Sequence, residues 1–113
     1  MATRRISPPY TALLTSSAFT TTNAITTEGF YPSTDFTRAT FFILATEDGT
    51  AKLQTLLSSG TWVDIVSSEI PIDADVMSTI NVRMSVLGLR CIVTPSAAPG
   101  TVTVDASYSE NKG

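Results

Sequence analysis

The sequence predicts an all-β domain: an antiparallel β-sandwich or jelly-roll-like barrel with an extended N-terminal arm. Three observations lead there. Short apolar runs, several of them alternating with polar residues, recur at about the 8–12-residue spacing of sandwich folds. The six glycines and most of the six prolines stand apart from one another and punctuate those runs, as turn residues do. Ser and Thr fill about a quarter to a third of the chain, and Thr is β-branched and favours a pleated backbone.

Each element follows in order. Residues 1–35 read as the arm, with Pro8-Pro9, Thr20-Thr21-Thr22, Thr26-Thr27 and Pro32 leaving apolar positions too sparse for a continuous strand. Two short strands are expected within it, near Tyr10 to Leu14 and Asn23 to Thr26. Its full apolar side chains, Tyr10, Leu13, Leu14, Phe19, Ile25, Phe30 and Tyr31, argue against a free disordered tail, because such tails are poor in aromatics. The arm therefore needs a surface: its own sandwich, a neighbouring copy, or another protein. Six of them, Tyr10, Leu13, Leu14, Phe19, Phe30 and Tyr31, are the candidate partner-binding residues.

The sandwich is expected over residues 36–108, followed by a polar tail at 109–113. Phe36 to Thr46 reads as a strand, and Asp48-Gly49 favours a tight hairpin turn back into Lys52 to Leu57. Leu53, Leu56 and Leu57 have the nearest thing to a helical spacing, but Gly49 and Gly60 bound them as a strand. Ser58-Ser59-Gly60 is the next turn. In Thr61 to Val66 the alternation puts Trp62 and its neighbours two apart on one face, with Trp62 expected in the core; the alternative is an exposed aromatic platform for a sugar ring. Ile70 to Asp75 forms a loop or edge. Val76 to Met84 then places Ile80, Val82 and Met84 on one face, Leu89 to Thr94 forms a strand, and residues 95–100 turn the chain. Thr101 to Tyr108 sends Val102, Val104 and Ala106 inside.

Composition narrows the chemistry. The 113 residues match one domain with one core. Hydrophobic residues make up 42% and charged residues 15%, against about 25% charged in an ordinary soluble domain. The net charge is −3, and the basic residues Arg4, Arg5, Arg38, Lys52, Arg83, Arg90 and Lys112 are scattered, which disfavours direct nucleic-acid binding. Histidine is absent, so Ser-His-Asp and Cys-His catalysis have no base and the commonest zinc ligand is missing. Cys91, the single cysteine, lies in an apolar run and reads as a small buried hydrophobe. The start MATRRISPPY lacks the apolar stretch of a secretory signal, and no run reaches the roughly 20 residues of a membrane helix. The expectation is a chain made in the cytosol without a membrane anchor.

The acids Glu69, Asp73 and Asp75 are the remaining candidates for catalysis or for Ca²⁺. Their spacing lacks the EF-hand pattern, and they read as a solvated connection. With no glycine-rich phosphate loop either, no cofactor, metal or catalytic residue is expected, and the chain reads as non-enzymatic.

The stretch Ala51 to Tyr108 resembles the small β-sandwich structural proteins of tailed bacteriophages. The hairpin Ala51-Lys52-Leu53-Gln54 through Ser58-Ser59-Gly60-Thr61 into Trp62-Val63-Asp64-Ile65 carries the resemblance. So does the closing pair Leu89-Arg90-Cys91-Ile92-Val93-Thr94 and Gly100-Thr101-Val102-Thr103-Val104. The phage form often has a Gly-Ser-x-Asp-Gly turn ahead of the Trp, whereas here Thr55-Leu56-Leu57-Ser58-Ser59-Gly60 stands in that place. The resemblance implies a virion component, first of all a capsid decoration or cement subunit: a homotrimer whose arms bridge neighbouring major capsid proteins. A head-to-tail, tail or fibre-base subunit remains open, as does, in a different class, a carbohydrate-binding module.

Overall fold

Alternation with a period of two builds both layers of the structure, a computed structural model that describes residues 10–31, 37–84 and 87–110. The strands are β1 (Tyr10–Phe19), β2 (Ile25–Thr26), β3 (Thr37–Ala45), β4 (Gly49–Leu56), β5 (Trp62–Asp64), β6 (Ile70–Ile72), β7 (Ser78–Met84), β8 (Leu89–Pro95) and β9 (Gly100–Glu110). One sheet runs in the order β1-β9-β3-β7. The other runs β2-β8-β4-β5, with β6 sharing the β5 side of β4. All pairings are antiparallel. The sandwich predicted from the sequence is the fold found.

The core lies between the inner faces. In β3, Ala39, Phe41, Ile43 and Ala45 are at most 3% exposed, and Val102, Val104 and Ala106 of β9 face the same way, as their alternation predicted. Ile80 and Val82 of β7 extend this face. Ala51 and Leu53 of β4 and Leu89, Cys91 and Val93 of β8 meet it from the second sheet. Fully burying an aliphatic or aromatic side chain of this kind contributes about 1.5–3 kcal/mol. Burial pushes the Cys91 thiol up to about 12.

Residues 10–31 are built into the two sheets, so the sandwich does not begin at residue 36 as expected. β1 is ten residues long and pairs along β9, with register irregularities between Ala12 and Leu14 and between Leu14 and Ser17. Of the three surfaces open to this segment, its own sandwich is the one it uses. Beyond β2 the chain stays stitched to β8. The Thr27 N–H donates to the Cys91 carbonyl at 2.9 Å, and the Cys91 N–H donates to Thr27 Oγ1 at 3.0 Å. Phe30 and Leu89 exchange both backbone hydrogen bonds, at 2.7 and 2.8 Å.

Asp48-Gly49 does not form a hairpin. β3 and β4 lie in different sheets, so the corner carries the chain across the sandwich. Gly49 serves another purpose: a Cβ there would lie 2.8 Å from Pro95 Cα, so the residue allows β8 to approach closely. The hairpin expected at Ser58-Ser59-Gly60 does form, joining β4 to β5, with Gly60 at φ 91°. Between β5 and β6, Ser68 completes the edge of β4: its Oγ accepts the Leu53 N–H at 3.0 Å and donates to the Leu53 carbonyl at 3.3 Å. A buried hydroxyl thus does the work of a strand backbone.

Two outcomes follow. Phe30→Ala is expected to lower the unfolding free energy by about 3–5 kcal/mol in urea denaturation followed by circular dichroism; a docking residue on a free arm would leave that value unchanged. The Cys91 thiol is expected to resist a disulfide reagent in the native chain and to react once urea unfolds it. Its folded value lies above the unfolded 9.0, so the stability linked to it is complete below pH 9.0 and declines as pH rises toward about 12.

Candidate interaction surface

The strand registers of the second sheet line up a polar row on its outer face. Gln54 of β4 stands directly opposite Asp64 of β5 on one side and Arg90 of β8 on the other. Gln54 Nε2 donates to Asp64 Oδ1 at 2.8 Å, and Arg90 Nε donates to Gln54 Oε1 at 2.8 Å. Lys52, two residues back along β4, reaches diagonally to Asp64 Oδ2 at 3.1 Å. The Gln54 amide and the Lys52 ammonium hold the Asp64 carboxyl below its ordinary value. This ion pair is open to water, where such pairs contribute little to stability. It orders the face more than it holds the fold.

Trp62 belongs to this outer face and not, as its strand pattern led us to expect, to the core. It stands opposite Leu56, and Asp64 and the 87% exposed Val66 follow on the same alternation; the side chain that turns inward from this segment and packs on the core is Ile65. The period of two holds, but the sequence of β5 does not say which side meets the other sheet. The Arg90 guanidinium lies over the indole, with Cζ 4.5 Å from the ring centroid, a cation–π contact.

Next to this row the chain leaves an aromatic and aliphatic rim exposed. Gly88 is buried beneath two rings: a Cβ there would lie 2.8 Å from Tyr31 Cε1 and 3.4 Å from Trp62 Cη2. Tyr31 is 60% exposed and Leu87 56%. The Leu56 N–H donates to the Gly88 carbonyl, which brings exposed Leu57 to the same end of the sheet. Tyr31, Leu57, Trp62 and Leu87 therefore gather at one corner, with Arg90 beside them.

The six candidate contact residues separate on this structure. Leu13, Phe19 and Phe30 are buried in the core, and Leu14 packs partly buried against it, so these four serve the chain's own fold. Phe30 meets Phe41 edge-on, with ring centroids 6.0 Å apart. Tyr10 opens β1 opposite Ser107, and its side chain lies outside the described residues. Of the five whose side chains are described, Tyr31 alone joins the exposed rim. Leu57, Leu87 and Arg90 had no sequence signal, because adjacent strands bring them together from distant positions. Among the described residues, no three acids, histidines or cysteines converge into a metal-binding group, Glu69, Asp73 and Asp75 included. Asp48 Oδ1 instead accepts the Ala74 N–H at 2.8 Å and ties that loop down.

Asp64 is expected to titrate below 3.8 in an NMR measurement of its carboxyl, with Gln54→Ala returning it toward that value. The folded value is the lower one, so the contribution of this group is present at neutral pH and is lost as pH falls through the folded value. Arg90→Ala is expected to leave the fold intact and to raise quenching of Trp62 fluorescence by acrylamide.

No family model matches the chain, and no curated protein matches it. Among solved structures, the crystal structure of PBSX exported protein XepA shares the fold, with a TM-score of 0.78 over 98% of this chain at 14% sequence identity. The chain spans 41% of that protein's length.

Proposed function

We propose that the chain is a non-enzymatic structural subunit of a tailed-phage virion. The finer reading is a capsid decoration or cement subunit that self-associates and bridges neighbouring major capsid proteins. The observation that carries the proposal is the exposed rim of Tyr31, Leu57 and Leu87, with the half-buried Trp62 beside them, on a firmly packed sandwich. Aromatic side chains grouped with an arginine are the composition of protein contact cores. The low charged fraction of the chain suits a surface meant to be covered. The fold shared with an exported PBSX protein, XepA, and the resemblance of residues 51–108 to phage sandwich proteins support the same reading. Binding at many identical lattice sites would let a modest contact add up through multivalency.

A second reading rests on one observation. Trp62 faces outward beside Tyr31, the arrangement an aromatic sugar platform needs, although Arg90 covers part of the indole. It would make the chain a carbohydrate-binding module.

Cosedimentation with capsids of the chain's own phage, prepared without it, tests the proposal. Saturable binding is expected, and Tyr31→Ser with Leu87→Ser should weaken it at least tenfold while circular dichroism stays unchanged. Absence of binding to capsids and to tails would overturn the virion reading. Quenching of Trp62 fluorescence by host-surface oligosaccharides would favour the second.

A further inference from the structure

A sheet edge exposes unpaired backbone N–H and C=O groups, and natural proteins blunt such edges with short strands, bulges or covering loops. The second sheet follows this rule: β2 has two residues, and β5 and β6 have three each. β1, one edge of the first sheet, is broken by its two register irregularities, with Ser16 at φ 44°. β7, the other edge, is different. It runs for seven residues in unbroken register with β3 and has no strand partner on its far side among the described residues.

Beside that edge lies a groove of about 360 Å³, lined by Thr79 to Arg83 along β7 and by Ile65 to Ser68 and Ile70 opposite. Val66, the most exposed large hydrophobic side chain described, stands at this groove. Long, regular and bordered by an open channel of mixed polar and apolar lining, β7 has the features of a strand that receives another.

We infer that the occupant is β7 of a second copy, paired antiparallel about a two-fold axis at Asn81, so that two four-stranded sheets become one of eight. The strand complements itself in this register. Asn81 is the middle of its seven residues, so every strand position finds a partner. Ile80 meets Val82 twice on the inner face, which continues the apolar layer across the seam. On the outer face Arg83 meets Thr79, and no like charges stand opposite one another. A register centred on Arg83 would instead set the two arginines face to face, an arrangement that destabilises cross-strand pairs. The two-fold also brings each exposed Val66 to the shared groove, as a self-complementary interface requires. Asn81 is already held outward, its Oδ1 accepting the Thr40 hydroxyl at 2.7 Å.

The register makes a specific cross-linking pattern. Asn81→Cys places two thiols directly opposite across the seam, within the roughly 7 Å Cα separation a disulfide tolerates. Thr79→Cys faces Arg83 of the other copy, and its two thiols stand four residues apart along the strands, more than about 13 Å. The native Cys91 is fully buried and does not compete. Light scattering on the full chain should give about twice 12.0 kDa. Mild oxidation should convert most of the Asn81→Cys variant to a covalent dimer and leave Thr79→Cys unlinked. A monomer or trimer mass, or equal cross-linking of both variants, would overturn the seam. The inference stands on the sheet edge and not on the virion reading: a dimer that ignores capsids leaves it intact, and a monomer that binds them defeats it.

Discussion

The dry layer between the two sheets is the constraint on which the rest of this structure depends. With one cysteine, no disulfide can brace the chain, and the strands of the second sheet are short. Apolar burial has to hold the layers together, and the aromatic contact between Phe30 and Phe41 shows how closely the layer is knit. Phe41 comes from the middle of the first sheet, whereas Phe30 is pinned to β8 in the second by a pair of backbone hydrogen bonds. A segment rich in threonine and poor in obvious strand pattern is thereby drawn into the core. Its polar groups are met by β8, whose backbone would otherwise lack partners at the positions Thr27 now satisfies.

Hydrogen-bond satisfaction explains much of the irregular structure. Leu53 lies between the pairing ranges of β5 and β6, and there the buried Ser68 hydroxyl and the Ile65 N–H supply what a continuous neighbouring strand would have supplied. Among the described residues, no buried side-chain polar atom lacks a partner. An unmade bond of this sort costs about 1–3 kcal/mol, so these single hydroxyls are as much a part of the scaffold as the valines around them. β7 differs: no other strand among the described residues pairs with its outer edge.

The outer faces divide the labour differently. On the second sheet, polar side chains from three strands satisfy one another in a row and fix the orientation of Arg90 over Trp62. Directly beside that ordered row, the Gly88 corner leaves aromatic and leucine side chains uncovered. An ordered polar frame next to an exposed apolar rim lowers the entropy lost on contact, because fewer side chains remain to be fixed.

Local pattern and composition determined the all-β class, most strand positions, the Gly60 hairpin, and the inward sides of β7 and β9. Period-two alternation and turn residues are properties of consecutive residues, and they survive without any knowledge of partners. Tertiary structure alone decided three things. It made the Asp48-Gly49 corner a crossing between sheets, because a turn signal does not say where the next strand finds its neighbour. It took Leu13, Phe19 and Phe30 inside, because burial depends on what lies above a side chain and not on its type. It turned Trp62 outward and gathered it with Tyr31, Leu57, Leu87 and Arg90, because register between distant strands sets which residues share a face, and no short window of sequence contains that register.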